Sequence, residues 1–453
     1  MHGRDAAPVV RGTLIHSPAR GDIEIIGDAV IAADSDGNIA SIDNASTDSG
    51  KAAMAAAGRN LTTLADGQFL LPGLVDLHIH APQWPQLGKA LHLPLDEWLQ
   101  HYTFPLEARY DDLDFARVAY ESLIDNLLAH GTTTATYFGT VHLASTALLA
   151  ELAVSKGQRA VVGKVAMDNP EQCPDYYRDA SAGAALDDTR ALIEHIRNIP
   201  GNDSGLVLPA VTPRFIPSCT DDLLQGLGSI ADEYGCHVQT HCSESDWEHQ
   251  YVIDRHGIHD TASLDRFGLL TDKTVLAHGN LVDATDMETI RSRASGIAHC
   301  PLSNVYFSHA VFPLRTALDR GLKVGLGTDI SGGPSPSMLH NCKHAVTMSR
   351  VLEDGVDPSL AASERGSPDA RIDFREAFWL ATAGGADVLG LPTGRFARGF
   401  AFDAIVVDTT VPESDVIAWP ELDDEHDLLQ KILYNADRRN IDKVFVQGRC
   451  VRG

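Results

Sequence analysis

Between about residues 70 and 390, short runs of aliphatic and β-branched residues alternate with longer stretches whose apolar positions recur every three or four residues. That alternation is the pattern of repeated strand–helix units around a parallel sheet. Eight strands are predicted, over residues 74–80, 133–138, 160–165, 206–215, 237–241, 274–278, 296–299 and 323–329, with helices such as 111–130 and 221–234 between them. Eight such units predict an α/β fold closed into a TIM-type (β/α)8 barrel, with an open doubly wound sheet as the rival arrangement. Outside this region the period shortens, and 9–16, 22–27, 29–32, 39–42, 404–408 and 443–447 read as short strands with turn residues between them. Neither flank is long enough to make a good core alone. Both chain ends are therefore expected to build one small β-sandwich beside the barrel, which divides the chain into 1–69, 70–395 and 396–453. The Ala-rich runs at 52–57 and 182–187 suggest neither a repeat nor a disordered tail.

The predicted strand ends carry the polar residues that matter. The first ends in His78-Ile79-His80, and residues at i and i+2 share one face of a strand, so both rings point the same way. His241, His278 and Asp329 end three more strands, and Pro82, Ser243, Gly279 and Ser331 follow as loop-forming or capping residues. In a chain with 20 histidines one His-x-His pair means little. Four histidines and a carboxylate at the C-terminal ends of four strands mean more, because a barrel gathers those ends at one mouth. Imidazole with carboxylate oxygen suits zinc, or iron in its place, with a position left open for water.

Composition narrows the remaining choices. Of 453 residues 44% are hydrophobic, an ordinary globular proportion that promises a sizeable core. A net charge of −26, from 36 Lys and Arg against 62 Asp and Glu, opposes binding to nucleic acid or to an anionic membrane. Seven scattered cysteines without a Cys-x-x-Cys pair fit a reducing, cytoplasmic setting, and no apolar run reaches bilayer length. The absent Pro-Cys-x-x-Cys signature also counts against the other zinc deaminase design.

His78-Ile79-His80, His241-Cys242-Ser243-Glu244, Ala277-His278-Gly279, Ala298-His299-Cys300-Pro301 and Gly327-Thr328-Asp329 together resemble the metal-dependent amidohydrolase superfamily over nearly the whole chain. Within it, His80-Ala81-Pro82-Gln83, residues 93–99, Tyr102-Thr103-Phe104-Pro105, residues 163–168, Val211-Thr212-Pro213-Arg214-Phe215 and residues 327–333 resemble the guanine deaminase family. The resemblance implies one zinc ion on His78, His80, His241 and Asp329, with His278 as a further ligand or as a partner of the metal's water. Binuclear relatives bridge two metals with a lysine from the fourth strand; here that strand has none, and Lys164 lies on the third.

The resemblance further implies hydrolytic deamination of guanine in purine catabolism by a homodimer. Glu244, three residues past His241, would protonate the ring nitrogen, and Asp329 would take the proton of water, with His278 assisting. Gln83 offers both a donor and an acceptor and Arg214 only donors, which suits the directional demands of a purine. Both are expected to bind the base, with Phe215 against it, His80 bordering it and Trp84 either stacking on it or packing a loop. His299 is expected to support the ligands from behind, and His142, His249, His256, His259 and His309 to be surface or helix residues. The rival substrates are other amino-heterocycles such as 8-oxoguanine, a pterin or a triazine, and the rival class is a non-catalytic scaffold of the same fold. The family's Gly-Lys-x-Ala-Asp return into the small domain reads Gly399-Phe400-Ala401-Phe402-Asp403 here, a change expected to alter packing at the domain junction.

Overall fold

The eight apolar runs pair side by side, all parallel, in the order in which they occur along the chain. In the structure, a computed structural model that describes residues 7–453, they form strands Leu74–His80, Thr132–Phe138, Arg159–Gly163, Val207–Pro213, His237–Cys242, Thr274–His278, Gly296–His299 and Lys323–Leu326. Residues 1–6, at the head of the 1–69 segment, lie outside the described residues. The run predicted over 160–165 breaks at Lys164 and resumes as Val165–Ala166 against the fourth strand. The last predicted strand loses its ladder after Leu326, where the sheet curls shut: Asp329 N–H donates to the His78 carbonyl at 2.8 Å, and His80 N–H to that of Ile330 at 2.9 Å. Asp76 joins the same seam, accepting Thr328 N–H at 2.9 Å and the Thr328 hydroxyl at 2.5 Å. The sheet is thus a nearly closed barrel, not the open rival.

The intervening helices form where caps and apolar spacing agree. Helix Leu113–Ala129 starts on Asp112, whose carboxylate accepts two N–H groups of the first turn, and it buries Ala116, Tyr120, Leu123, Ile124 and Leu127 at helical spacing. Helix Asp221–Tyr234 is capped by Thr220 and ends at Gly235 in the left-handed conformation (φ +57°). Inside the barrel, Val75, Leu77, Val161, Ala210, Val275 and Ala298 pack on Ala386, Val388 and Leu389, all three on helix Gly385–Leu389. That plug fills the N-terminal end and leaves the C-terminal mouth for polar residues.

Both chain ends meet in a second sheet of eight strands, mostly antiparallel. Strand Gln68–Pro72 lies beside Ala404–Asp408, and Val9–His16 beside Glu24–Ala33, so the block of C-terminal strands joins the block of N-terminal strands at one seam within a continuous sheet. Its core gathers Val10, Leu14, Ile31 and Ile39 with Leu70, Phe402, Val406 and Phe445 in one buried cluster. Segments 22–27 and 29–32 prove to be one strand with a register shift opposite Gly12–Leu14. At the return segment, buried Asp403 accepts from Arg159 (2.8 and 3.3 Å), Thr393 (2.9 Å) and Gln447 N–H (2.7 Å), tying the third barrel strand to the small sheet. No helix among the described residues is long and apolar enough to cross a membrane.

Candidate active site

Five side chains from four strand ends meet at the barrel mouth. His78, His241 and His278 bring ligand atoms within 4.8 Å of one another, and so do His78, His80 and Asp329. His78 Nε2 lies 3.3 Å and His80 Nε2 3.7 Å from Asp329 Oδ1, and His278 Nε2 lies 4.0 Å from Asp329 Oδ2. His80 Nε2 faces His241 Nε2 at 3.0 Å. The chain takes unusual backbone angles to do this: His278 (φ +73°), Asp329 (φ +49°) and Ser243 (φ +49°) all occupy the left-handed region. Such residues cost about 1–3 kcal/mol each and persist where surrounding structure fixes them.

The protonation pattern leaves nitrogen lone pairs aimed inward. A backbone carbonyl can only accept, so His241 Nδ1, 2.5 Å from the Arg214 carbonyl, must carry the hydrogen, which frees Nε2 as a ligand. His278 Nδ1 is fixed in the same way by Asn304 Oδ1 at 2.9 Å. Nε2 of His78 and of His278 are buried without a hydrogen-bond partner. Burial holds the imidazoles of His78, His80 and His241 well below their ordinary range, so they stay neutral, the form that binds a metal. Two orphaned buried nitrogens, two nitrogens face to face and one carboxylate fit a single divalent ion. Lys164 makes no bridge to a second: its ammonium is fully buried against Asp179 at 2.6 Å.

Glu244 stands beside this cluster, 3.7 Å from His278 Nε2. Burial and then the charge of Asp329 push its carboxyl up to about 8, against the pull of Arg214. Its turn is held by Glu248, which accepts Glu244 N–H at 2.8 Å, by Asp260, which accepts Ser243 N–H at 3.2 Å, and by Asn280, which donates to the Glu244 carbonyl at 2.9 Å. A cleft of about 420 Å³ opens over these groups and is lined by His80, Gln83, Arg214, Phe215, His241, Glu244 and Asp329, with Leu95, Trp98, Leu99 and Phe307 on its apolar side.

These strand-end ligands, on a parallel barrel joined to a sheet made from both termini, accord with the sequence model described as the amidohydrolase family, which matches residues 69–451. The chain belongs to the amidohydrolase family. It is 39% identical over 98% of its length to a probable guanine deaminase of Schizosaccharomyces pombe, covering 83% of that protein. With the guanine deaminase of Homo sapiens it shares 36% identity over 98% of this chain and 96% of the relative. A crystal structure of guanine deaminase from C. acetobutylicum with bound guanine superposes with a TM-score of 0.87 at 32% identity, covering 98% and 99% of the two chains.

The amidohydrolase site gathers most of the expected residues but not all. Trp84 is the exception. It is not among the residues lining the cleft, and its indole donates to Ser122 at 3.0 Å on helix Leu113–Ala129, an arrangement that fits the loop-packing alternative. His299 is buried with its ring against Phe312 (centroids 5.4 Å apart), and burial pushes it down to about 3. His142 and His259 precede helices, His249 and His256 lie within one, and His309 is exposed. Sequence reading missed Glu107. This fully buried carboxylate accepts Gln83 Nε2–H at 2.9 Å and Arg214 Nη1–H and Nη2–H at 2.6 and 3.2 Å. Its one signal is an acid three residues beyond Phe104 in an otherwise apolar turn, too little to act on. Asn304, which sets the His278 tautomer, carried no signal at all.

Proposed function

We propose that the chain hydrolyses the exocyclic amino group of guanine, giving xanthine and ammonia, with a zinc ion on His78, His80, His241 and Asp329 and with His278 beside it. The observation that carries this reading is that one cleft joins Glu244 and Asp329 to Gln83 and Arg214. It thus sets proton-transfer groups opposite the directional donors and acceptors that a purine requires. Close relatives named guanine deaminase and a neighbour holding guanine support the same substrate.

Zinc, when bound, lowers the pKa of water toward ~7 and so supplies hydroxide at neutral pH. Glu244, whose carboxyl is pushed up by burial and by the charge of Asp329, is suited to donate to the ring nitrogen beside the attacked carbon. Asp329 takes one proton of the attacking water; Glu244, now ionised, takes the other from the hydroxyl newly bonded to the ring carbon and passes it to the amino group, so the C–N bond breaks, ammonia leaves, the C–O bond becomes a carbonyl, and the proton held by Asp329 restores Glu244. Arg214 and Gln83 hold the base in register, and Phe215 closes one side of it. The strongly acidic surface supports a small, uncharged substrate over a nucleic acid.

The test is ammonia release from guanine by zinc-loaded protein, run beside Glu244→Gln. Release by the parent and its loss in the variant are expected. No release by a parent with stoichiometric zinc would overturn guanine as substrate and turn attention to 8-oxoguanine, pterins and triazines, whereas protein that takes up no metal would point to a scaffold.

A further inference from the structure

We infer that Glu107 is a positioning residue for base recognition, and that by pairing with Arg214 it turns the cleft away from anionic oxopurines and toward a neutral aminopurine. The inference rests on the purine reading given above.

Glu107 ends helix Phe104–Glu107, is fully buried, and touches none of the five metal-facing side chains through any hydrogen bond among the described residues. Its two oxygens meet three donors, from Gln83 Nε2 and from both terminal nitrogens of Arg214. A carboxylate can only accept, and Ser331 N–H, 3.1 Å from Gln83 Oε1, can only donate. The Gln83 amide therefore has one possible orientation, with one N–H and one oxygen lone pair left for a ligand. Arg214 spends two of its five N–H groups on Glu107 and is itself only 3% exposed, with its guanidinium 5.0 Å from the Phe104 ring centre.

The electrostatic consequence follows from burial. An unopposed guanidinium in so dry a place would draw any anion strongly, because the Coulomb term grows as the local dielectric falls. Paired with Glu107 it presents directed N–H groups and almost no net charge. An aminopurine is neutral near pH 7, whereas exchanging its amino group for a carbonyl makes the ring N–H more acidic. The neutralised pair therefore favours the substrate over the ionised form of the product.

The probe is xanthine, whose own ring ionises near neutral pH, used as a competitive inhibitor below and above that ionisation. Hypoxanthine, neutral over the same range, corrects for titration of the protein. In the parent, ionised xanthine should bind at least about tenfold more weakly than neutral xanthine relative to the hypoxanthine control. In E107Q, where an NH2 group replaces one acceptor and Arg214 is left unopposed, that preference should vanish or invert. The KM for guanine should rise about tenfold while kcat changes less than about threefold, the signature of lost binding and not lost chemistry. E107D, which keeps the charge, should retain the parent's preference. Equal binding of both xanthine forms by the parent would overturn the inference even if E107Q fails to fold, and so would parallel shifts in E107Q and E107D. A parent inactive on guanine that still discriminates between the xanthine forms would overturn the substrate reading and leave this one standing.

Discussion

The ligand cluster and the clamp in which Glu107 holds Gln83 and Arg214 from behind stand at one cleft and are similarly buried, yet they are completed to different degrees. In the cluster, Nε2 of His78 and of His278 have no partner, and two further Nε2 atoms point at each other. In the clamp, both Glu107 oxygens are engaged by Gln83 and Arg214, and Gln83 is held at both ends of its amide. A buried polar atom left unpaired costs about 1–3 kcal/mol. The cluster is therefore built around something the chain does not supply, while the clamp is preorganised by the chain alone. Arg214 serves both, with its backbone carbonyl orienting His241 and its side chain gripping Glu107.

The largest effects should come from attacking the unfinished half. His241→Ala or Asp329→Asn should abolish deamination and reduce bound metal, as read by metal analysis beside an ammonia assay. Full activity in either variant would remove the cluster from the chemistry. Glu244→Gln should keep its metal and lose about 10²–10⁴-fold in kcat, the range for a positioned acid–base group. Attacks on the finished half should read differently. Gln83→Ala should cost about 10–100-fold in kcat/KM with metal content unchanged, the price of about 1.5–3 kcal/mol in a charge-assisted network. Arg214→Ala should do at least as much and also lower the melting temperature, because Glu107 is left as an uncompensated buried charge, a loss of about 3–5 kcal/mol. Its metal content should nevertheless hold, since the group that orients His241 is backbone. Loss of metal in Arg214→Ala would break the distinction between the two halves. The smallest effect belongs to Trp84→Phe, which removes one hydrogen bond to Ser122 and should cost about 1 kcal/mol in stability with turnover unchanged.

The same division explains what could be read from the chain. The ligands were legible because strand period and barrel geometry both act on them: an apolar run that ends in His or Asp delivers that residue to the mouth, wherever the run occurs in sequence. The barrel order and the pooling of both termini into one small sheet were legible for the same reason. The clamp depends on loops, where no period operates. Residues 81–86 form a 3₁₀ turn, in which neighbouring side chains diverge by ~120°, so Gln83 lines the cleft and Trp84, next to it in sequence, does not. Glu107 is a lone acid whose partners lie 24 and 107 positions away, and nothing local marks that contact. Strands as short as Leu61–Thr63 and Arg449–Arg452 escaped because their pairing is set by the sheet around them and not by their own three or four residues.

The seam where the first and eighth strands meet has a consequence beyond architecture. His78 and His80 stand on one lip of that joint and Asp329 on the other, residues separated by most of the barrel's length in sequence. An ion gripping all three works as a clasp on the hoop, and its binding energy becomes part of what keeps the last stave in place. Metal loss should then loosen the whole protein as well as silence it, so the chelated form should melt at a lower temperature and exchange its amide hydrogens fastest along residues 74–80 and 323–330.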